Sequence, residues 1–136
     1  MLSCKPTLFL AFDFGLKRIG VAFGNGLTQT TQGVGVIEAA DEKTRFDKVQ
    51  HVIEQWQPEG LVVGVPRHPD GQAHDMTTRC QRFARQLEGR FNLPTFEVDE
   101  RYTSVVIESA MLRKNKGKVD MGSACLILEQ YFLEGR

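Results

Sequence analysis

Leu8-Phe9-Leu10-Ala11-Phe12-Asp13-Phe14-Gly15-Leu16-Lys17-Arg18-Ile19-Gly20 is the stretch on which the reading of this chain turns. Leu8 to Phe12 form an apolar run without polar alternation, the pattern of a strand buried on both faces in the middle of a sheet. An aspartate closing such a strand is costly to desolvate unless a cation or several N–H donors face it. Gly15 leaves the backbone just beyond it approachable, and Lys17 and Arg18 set two positive charges beside the acid. An acid for metal, a gap for a ligand and two cations for an anion belong to phosphate chemistry. The competing reading makes Asp13 an Asx-turn residue with Gly15 supplying turn geometry. The stretch by itself leaves both open.

Outward from it, residues 8–13, 19–24 and 33–37 read as three strands of a meander, with Gly24-Asn25-Gly26 as a tight-turn signal between the second and third. Links this short require antiparallel pairing. The pattern then changes. Asp41 is placed to cap a helix whose apolar positions Phe46, Val49, Val52, Ile53 and Trp56 recur at helical spacing up to Pro58. Residues 60–65 are a second continuously apolar strand, stopped by Pro66. Met76, Cys80, Phe83 and Leu87 make one stripe of a helix over 73–88, with Arg79, Arg82 and Arg85 opposite. A short strand over 95–98, a helix over 104–113, a basic run Arg113-Lys114-Asn115-Lys116-Gly117-Lys118 and a helix over 121–133 complete the chain. Strands reached through helices pair in parallel by right-handed crossovers. The order predicts an α/β fold: a five-stranded mixed sheet, three antiparallel strands then two crossover strands, with helices on both faces.

Composition narrows the function. The 136 residues suit a single domain over 1–136, and 41% hydrophobic with 25% charged content is ordinary for a globular protein. No apolar run approaches membrane-spanning length, and Lys5 and Pro6 break any signal-peptide layout, so a cytoplasmic protein without membrane contact is expected. Cys4, Cys80 and Cys125 fit neither a disulfide framework nor a zinc spacing; Cys80 and Cys125, on apolar helical faces, are expected to be buried free thiols. The three histidines show no ligand spacing. Zero net charge argues against indiscriminate polyanion binding, although the basic run and the α-helical arginines serve either as solvated faces or as a phosphate footprint.

Two further acids matter. Asp99-Glu100-Arg101 follows the last strand, and Asp120 opens the final helix. Ligands of open sheets collect beyond the carboxyl ends of the strands, where Asp13 and Glu100 would both lie and where a helix N-terminus would bring Asp120. Three carboxylates amid basic residues suit Mg²⁺ (or Mn²⁺), and a pair of such ions about 4 Å apart activates water and stabilises the leaving oxygen in phosphodiester cleavage. Asp120 is equally placed as a plain helix cap, Glu100 as a surface partner of Arg101, and Asp99 competes with Glu100 for the inward position because neighbours on a strand face opposite ways. Gly64-Val65-Pro66-Arg67-His68-Pro69-Asp70-Gly71 makes a stiff loop on the same edge, with Arg67 and His68 as phosphate contacts or solvated side chains.

Four separated motifs resemble one family. They are Asp13 to Gly20, Gly64-Val65-Pro66 with Asp70-Gly71, Asp99-Glu100-Arg101-Tyr102-Thr103-Ser104, and Asp120 with Ala124, Ile127 and Leu128. Together, and in this order, they are similar to the YqgF/RuvX family of Holliday-junction-resolvase-like pre-16S rRNA nucleases. The resemblance implies an RNase H-like fold, divalent-metal-dependent nuclease activity and a cytoplasmic role at the 5′ end of 16S ribosomal RNA. It implies Asp13, Glu100 and Asp120 as catalytic, metal-binding acids, with Arg18 and Arg101 orienting the scissile phosphate. Lys17, Arg67, Arg113, Lys114 and Lys116 join them as expected substrate contacts. Val65 stands where leucine is usual, and Gly122-Ser123 where alanine or larger residues are expected. The partners expected are structured RNA, with branched DNA as the alternative, and ribosomal precursor particles, for a monomer or weak homodimer. A nucleotide-binding module of the actin and sugar-kinase type also opens on Asp-x-Gly and a hairpin, but needs a second domain. A non-catalytic RNA-binding factor is the remaining alternative.

Overall fold

Residues 6–65, 75–99 and 121–134 are described by the structure, a computed structural model. Five strands form one sheet in the order β3-β2-β1-β4-β5: β1 Leu8–Phe14, β2 Arg18–Asn25, β3 Thr30–Glu38, β4 Gly60–Val65 and β5 Thr95–Asp99. β1 pairs antiparallel with β2, and β2 with β3. β4 joins β1, and β5 joins β4, in parallel. The apolar Leu8–Phe12 run is indeed interior, and the crossover strands take the predicted direction.

Three helices are described: α1 Glu42–Trp56, α2 Asp75–Phe91 and α3 Met121–Leu133. The Asp41 carboxylate caps α1 by accepting from Thr44 N at 2.7 Å. Gln57, left-handed at φ 49°, closes the same helix by donating its N–H to Ile53 O ahead of Pro58. α2 runs past Gly89 to Phe91, because Phe91 packs onto the core and repays the weak helix former before it. The expected helix over 104–113 lies outside the described residues, as does Cys4.

The two faces of the sheet carry separate cores. On one, Leu10, Phe12, Phe14, Ile19, Val21, Leu61, Val63 and Val65 pack with Phe46 and Val49 of α1 and Cys80, Phe83 and Leu87 of α2. On the other, Phe9, Ala11, Val62 and Val98 pack with Ile127, Leu128, Tyr131 and Phe132 of α3.

Three details differ from the sequence reading. β3 begins at Thr30 rather than 33, since a polar Thr-Thr-Gln start on an edge strand carries no hydrophobic signal yet pairs with Gly24 and Asn25. The turn before it is accordingly built on Asn25, whose Oδ1 accepts from Leu27 N and Thr28 N. Cys125 is free but only half-buried, whereas Cys80 is buried as expected.

Candidate active site

Asp13 does not end its strand. It lies inside the ladder opposite Gly20, with Phe14 pairing Ile19 beyond it, so the turn starts only at Gly15. Asp13 thus stands one ladder pair before the turn. Alternation puts Phe12 and Phe14 against α1 and α2, and Phe9, Ala11 and Asp13 on the α3 face. Asp13 is half-buried there, at the carboxyl end of β1.

Its surroundings on that face follow from the register. Directly across on β2 is Gly20, with no side chain. On the other side Phe12 is level with Val63, so the next residue, Gly64, flanks Asp13 from β4 on the face of Val62. The sequence reading noted both glycines only as parts of motifs. Flanked by two glycines, Asp13 meets no side chain from its β2 or β4 neighbour, and this stretch of the face is the Asp13 bay. Arg18, two residues beyond Gly20, is the diagonal neighbour on the same face, a position from which a long side chain reaches. Its Nε, however, pairs with Glu38 Oε2 at 3.2 Å, turning the guanidinium toward β3.

α3 aims its N-terminus at this bay. A Cβ on Gly24 would collide with Leu128 Cδ2, and one on Gly26 would lie 3.7 Å from Phe132 Cε1, so Leu128 sits over the end of β2 and Phe132 over the residue just past it. Four helical residues rise about 6 Å and two strand residues about 7 Å, so α3 runs nearly along β2. Seven more residues, about 10 Å back, bring Met121 level with Gly20 and Val21. Gly24 permits this approach because only a hydrogen separates its backbone from the fully buried Leu128. The positive end of the α3 dipole therefore faces the Asp13 edge. β4 and β5 also end here, Val65 being paired with Asp99.

Glu100 and Asp120 lie outside the described residues, as do Arg67, Arg101, Arg113, Lys114 and Lys116. The described chain reaches Asp99 and Met121, their immediate neighbours, on the Asp13 edge. Among the described residues no group of three potential metal ligands occurs, so Asp13 is the one expected ligand whose place is fixed. A hard oxygen donor with only glycines beside it on the neighbouring strands fits Mg²⁺, which keeps several waters and takes few carboxylates. Lys17 is exposed in the β1–β2 turn. That turn is held from α1: Arg45 donates to Leu16 O at 3.2 Å and lies 5.0 Å from the Phe14 ring centroid. Among the described residues no helix is long and apolar enough to cross a membrane.

Known proteins share this fold. RuvC of T. thermophilus, solved with a Holliday junction substrate, superposes with a TM-score of 0.62 over 95% of both chains at 12% identity. A fowlpox virus resolvase, solved with Holliday junction DNA, gives 0.53 over 93% of this chain and 97% of its own at 10% identity. At such identities the likeness is one of fold, and it is the RNase H-like fold expected. Sequence relatives are much nearer. A protein of Albidiferax ferrireducens is 54% identical over 123 residues, 90% of this chain and 76% of its own. One of Burkholderia vietnamiensis is 46% identical over 138 residues, 97% and 93%. Both bear the name "Putative pre-16S rRNA nuclease". The family model RuvX, described as Holliday junction resolvase, matches residues 7–134, and the chain belongs to that family.

Proposed function

We propose that this protein is a metal-dependent endonuclease that hydrolyses phosphodiester bonds of structured RNA and processes the 5′ end of pre-16S ribosomal RNA. The observation that carries the reading is Asp13: an acid between two glycines on the one sheet face that α3 points into. The names of the near relatives support the substrate. Asp13, Glu100 and Asp120 are the proposed metal-binding catalytic acids. A bound Mg²⁺ or Mn²⁺ supplies Lewis-acid activation of water and neutralises charge at the phosphate. Asp13 holds its share of that charge where solvent enters, while Lys17, Arg18, Arg67, Arg101, Arg113, Lys114 and Lys116 bind the backbone. Such a protein works in the cytoplasm on ribosomal precursor particles, as a single domain and as a monomer or weak homodimer.

A second reading, cleavage of branched DNA by the same acids, is favoured by the family's description and by the fold shared with junction resolvases. Side-by-side incubation of the purified protein with a pre-16S 5′ fragment and a four-way DNA junction, with Mg²⁺ or with chelator, decides between them. RNA cleavage that chelator abolishes is expected. Cleavage of the DNA junction alone would transfer the assignment to the second reading, and cleavage of neither would end both.

A further inference from the structure

Beside the Asp13 bay a groove of about 430 Å³ opens between the β1–β2 turn and the β3–α1 link, lined by Lys17, Arg18, Glu38, Ala39 and Ala40. Resting on the nuclease reading above, we propose that this groove seats a backbone phosphate flanking the scissile one, and that Glu38 is the removable counter-ion that holds Arg18 until that phosphate arrives.

Position comes first. Arg18 and Glu38 are direct cross-strand partners at the carboxyl edge, on the face that carries Asp13. Arg18 is two strand residues, about 7 Å, beyond the level of Asp13, and Glu38 lies one strand further out. Because the Arg18 guanidinium is drawn toward Glu38, an anion held with Lys17 in the groove lies on the β3 side of Asp13, a place for a neighbouring phosphate of a continuous strand. Ala39 and Ala40 are the apolar residues of its described lining.

Charge comes next. The Arg18–Glu38 pair is half-exposed or more on both sides, 50% and 67%, and such pairs contribute little to stability. Among the described residues no hydrogen bond or ion pair engages the Lys17 ammonium, and only the Lys17 carbonyl is used, accepting from Ala39 N at 3.1 Å. The other acids of the rim are committed elsewhere: Asp41 to Thr44 N, Glu42 to Gln86 Nε2 at 2.9 Å and Arg90 at 3.8 Å. Lys48 meets Glu38 only through the backbone, donating to its carbonyl at 2.7 Å. Among the described residues Glu38 is therefore the one acid of the groove opposing Lys17 and Arg18. A phosphate offers Arg18 the same fork geometry with more charge, and Lys17 adds a point charge to it. Exchange of carboxylate for phosphate leaves the guanidinium paired in both states.

The test is anisotropy of a fluorescein-labelled RNA hairpin in chelator across a KCl series, with wild type, Lys17→Ala and Glu38→Gln. Lys17→Ala is expected to weaken binding several-fold and to lower the log–log salt slope by about one. Glu38→Gln is expected to tighten binding several-fold, because Arg18 no longer has to leave a partner. Wild-type affinity and slope in both variants would overturn the seat, and unchanged or weakened binding in Glu38→Gln alone would overturn the exchange. Cleavage by the wild type in Mg²⁺, measured in parallel, reports separately on the nuclease reading.

Discussion

The two faces of the sheet are built from the same strands and differ at one end. Against α1 and α2, apolar side chains run to the carboxyl edge: Phe14, Ile19, Ile37 and Val65 are all buried. Phe83 seals that side, its ring centroid 4.7 Å from Phe14, 5.9 Å from Phe12 and 5.8 Å from Phe46. Against α3 the packing is just as tight at the other end, where Phe9 meets Tyr131 and Phe132 at 5.1 and 5.8 Å. From there the apolar bulk gives out: Phe9 is followed on this face by Ala11 and Asp13 on β1, Val62 by Gly64 on β4, and β2 contributes only Gly24, Ala22 and Gly20. One face is sealed for stability. The other ends at its carboxyl edge on an acid between glycines.

The contrast is broken most strongly by exchanging the roles of the faces. Asp13→Asn, on the open face, should lower metal-dependent cleavage at least ~10³-fold, about 4 kcal/mol of barrier, with an unchanged urea midpoint. Phe83→Ala, on the sealed face, should cost about 3–5 kcal/mol of stability in urea unfolding, while the folded fraction retains its cleavage rate. A stability loss in the first, or a rate loss in the folded second, would merge the two functions.

A finer probe narrows the bay itself. Gly20 does not adopt a positive φ, so a side chain there meets no backbone strain. Gly20→Ala should therefore put a methyl beside the Asp13 carboxylate and slow cleavage by up to about 10²-fold through misplacement alone, with RNA affinity in chelator retained. The smallest expected effect belongs to α1, which braces the sealed face. The hydrogen bond from Thr44 N is the largest influence holding the Asp41 carboxyl below its ordinary value of 3.8. A depressed pKa means that the cap's contribution is present above that value and is lost as pH falls through the folded pKa. Asp41→Ala should thus be less stable than wild type at neutral pH, and the difference should vanish in acid below 3.8.

Much of this was legible in the chain. The unbroken apolar run placed β1 in the sheet interior, and short links against helical crossovers gave the antiparallel and parallel halves. Asp13 stood out because an acid at the end of a buried strand needs a reason. The bay was harder to foresee. Gly20 and Gly64 flank Asp13 only through strand register, which joins residues far apart in sequence. Glu38 was overlooked for the same cause: its importance comes from lying opposite Arg18 across the β2–β3 ladder. The small residues next to the strand ends, Ala11 before Asp13 on β1 and Gly64 on β4, were the available signal. The start of β3 was missed because an edge strand needs no apolar face to pair.

The most direct measurement is anomalous scattering from crystals of the protein soaked in Mn²⁺. An ion about 2.0–2.2 Å from an Asp13 carboxylate oxygen, shared with Glu100 or Asp120, is the expected result. Manganese bound only elsewhere, with the Asp13 carboxylate out of reach even through a bridging water, would contradict it.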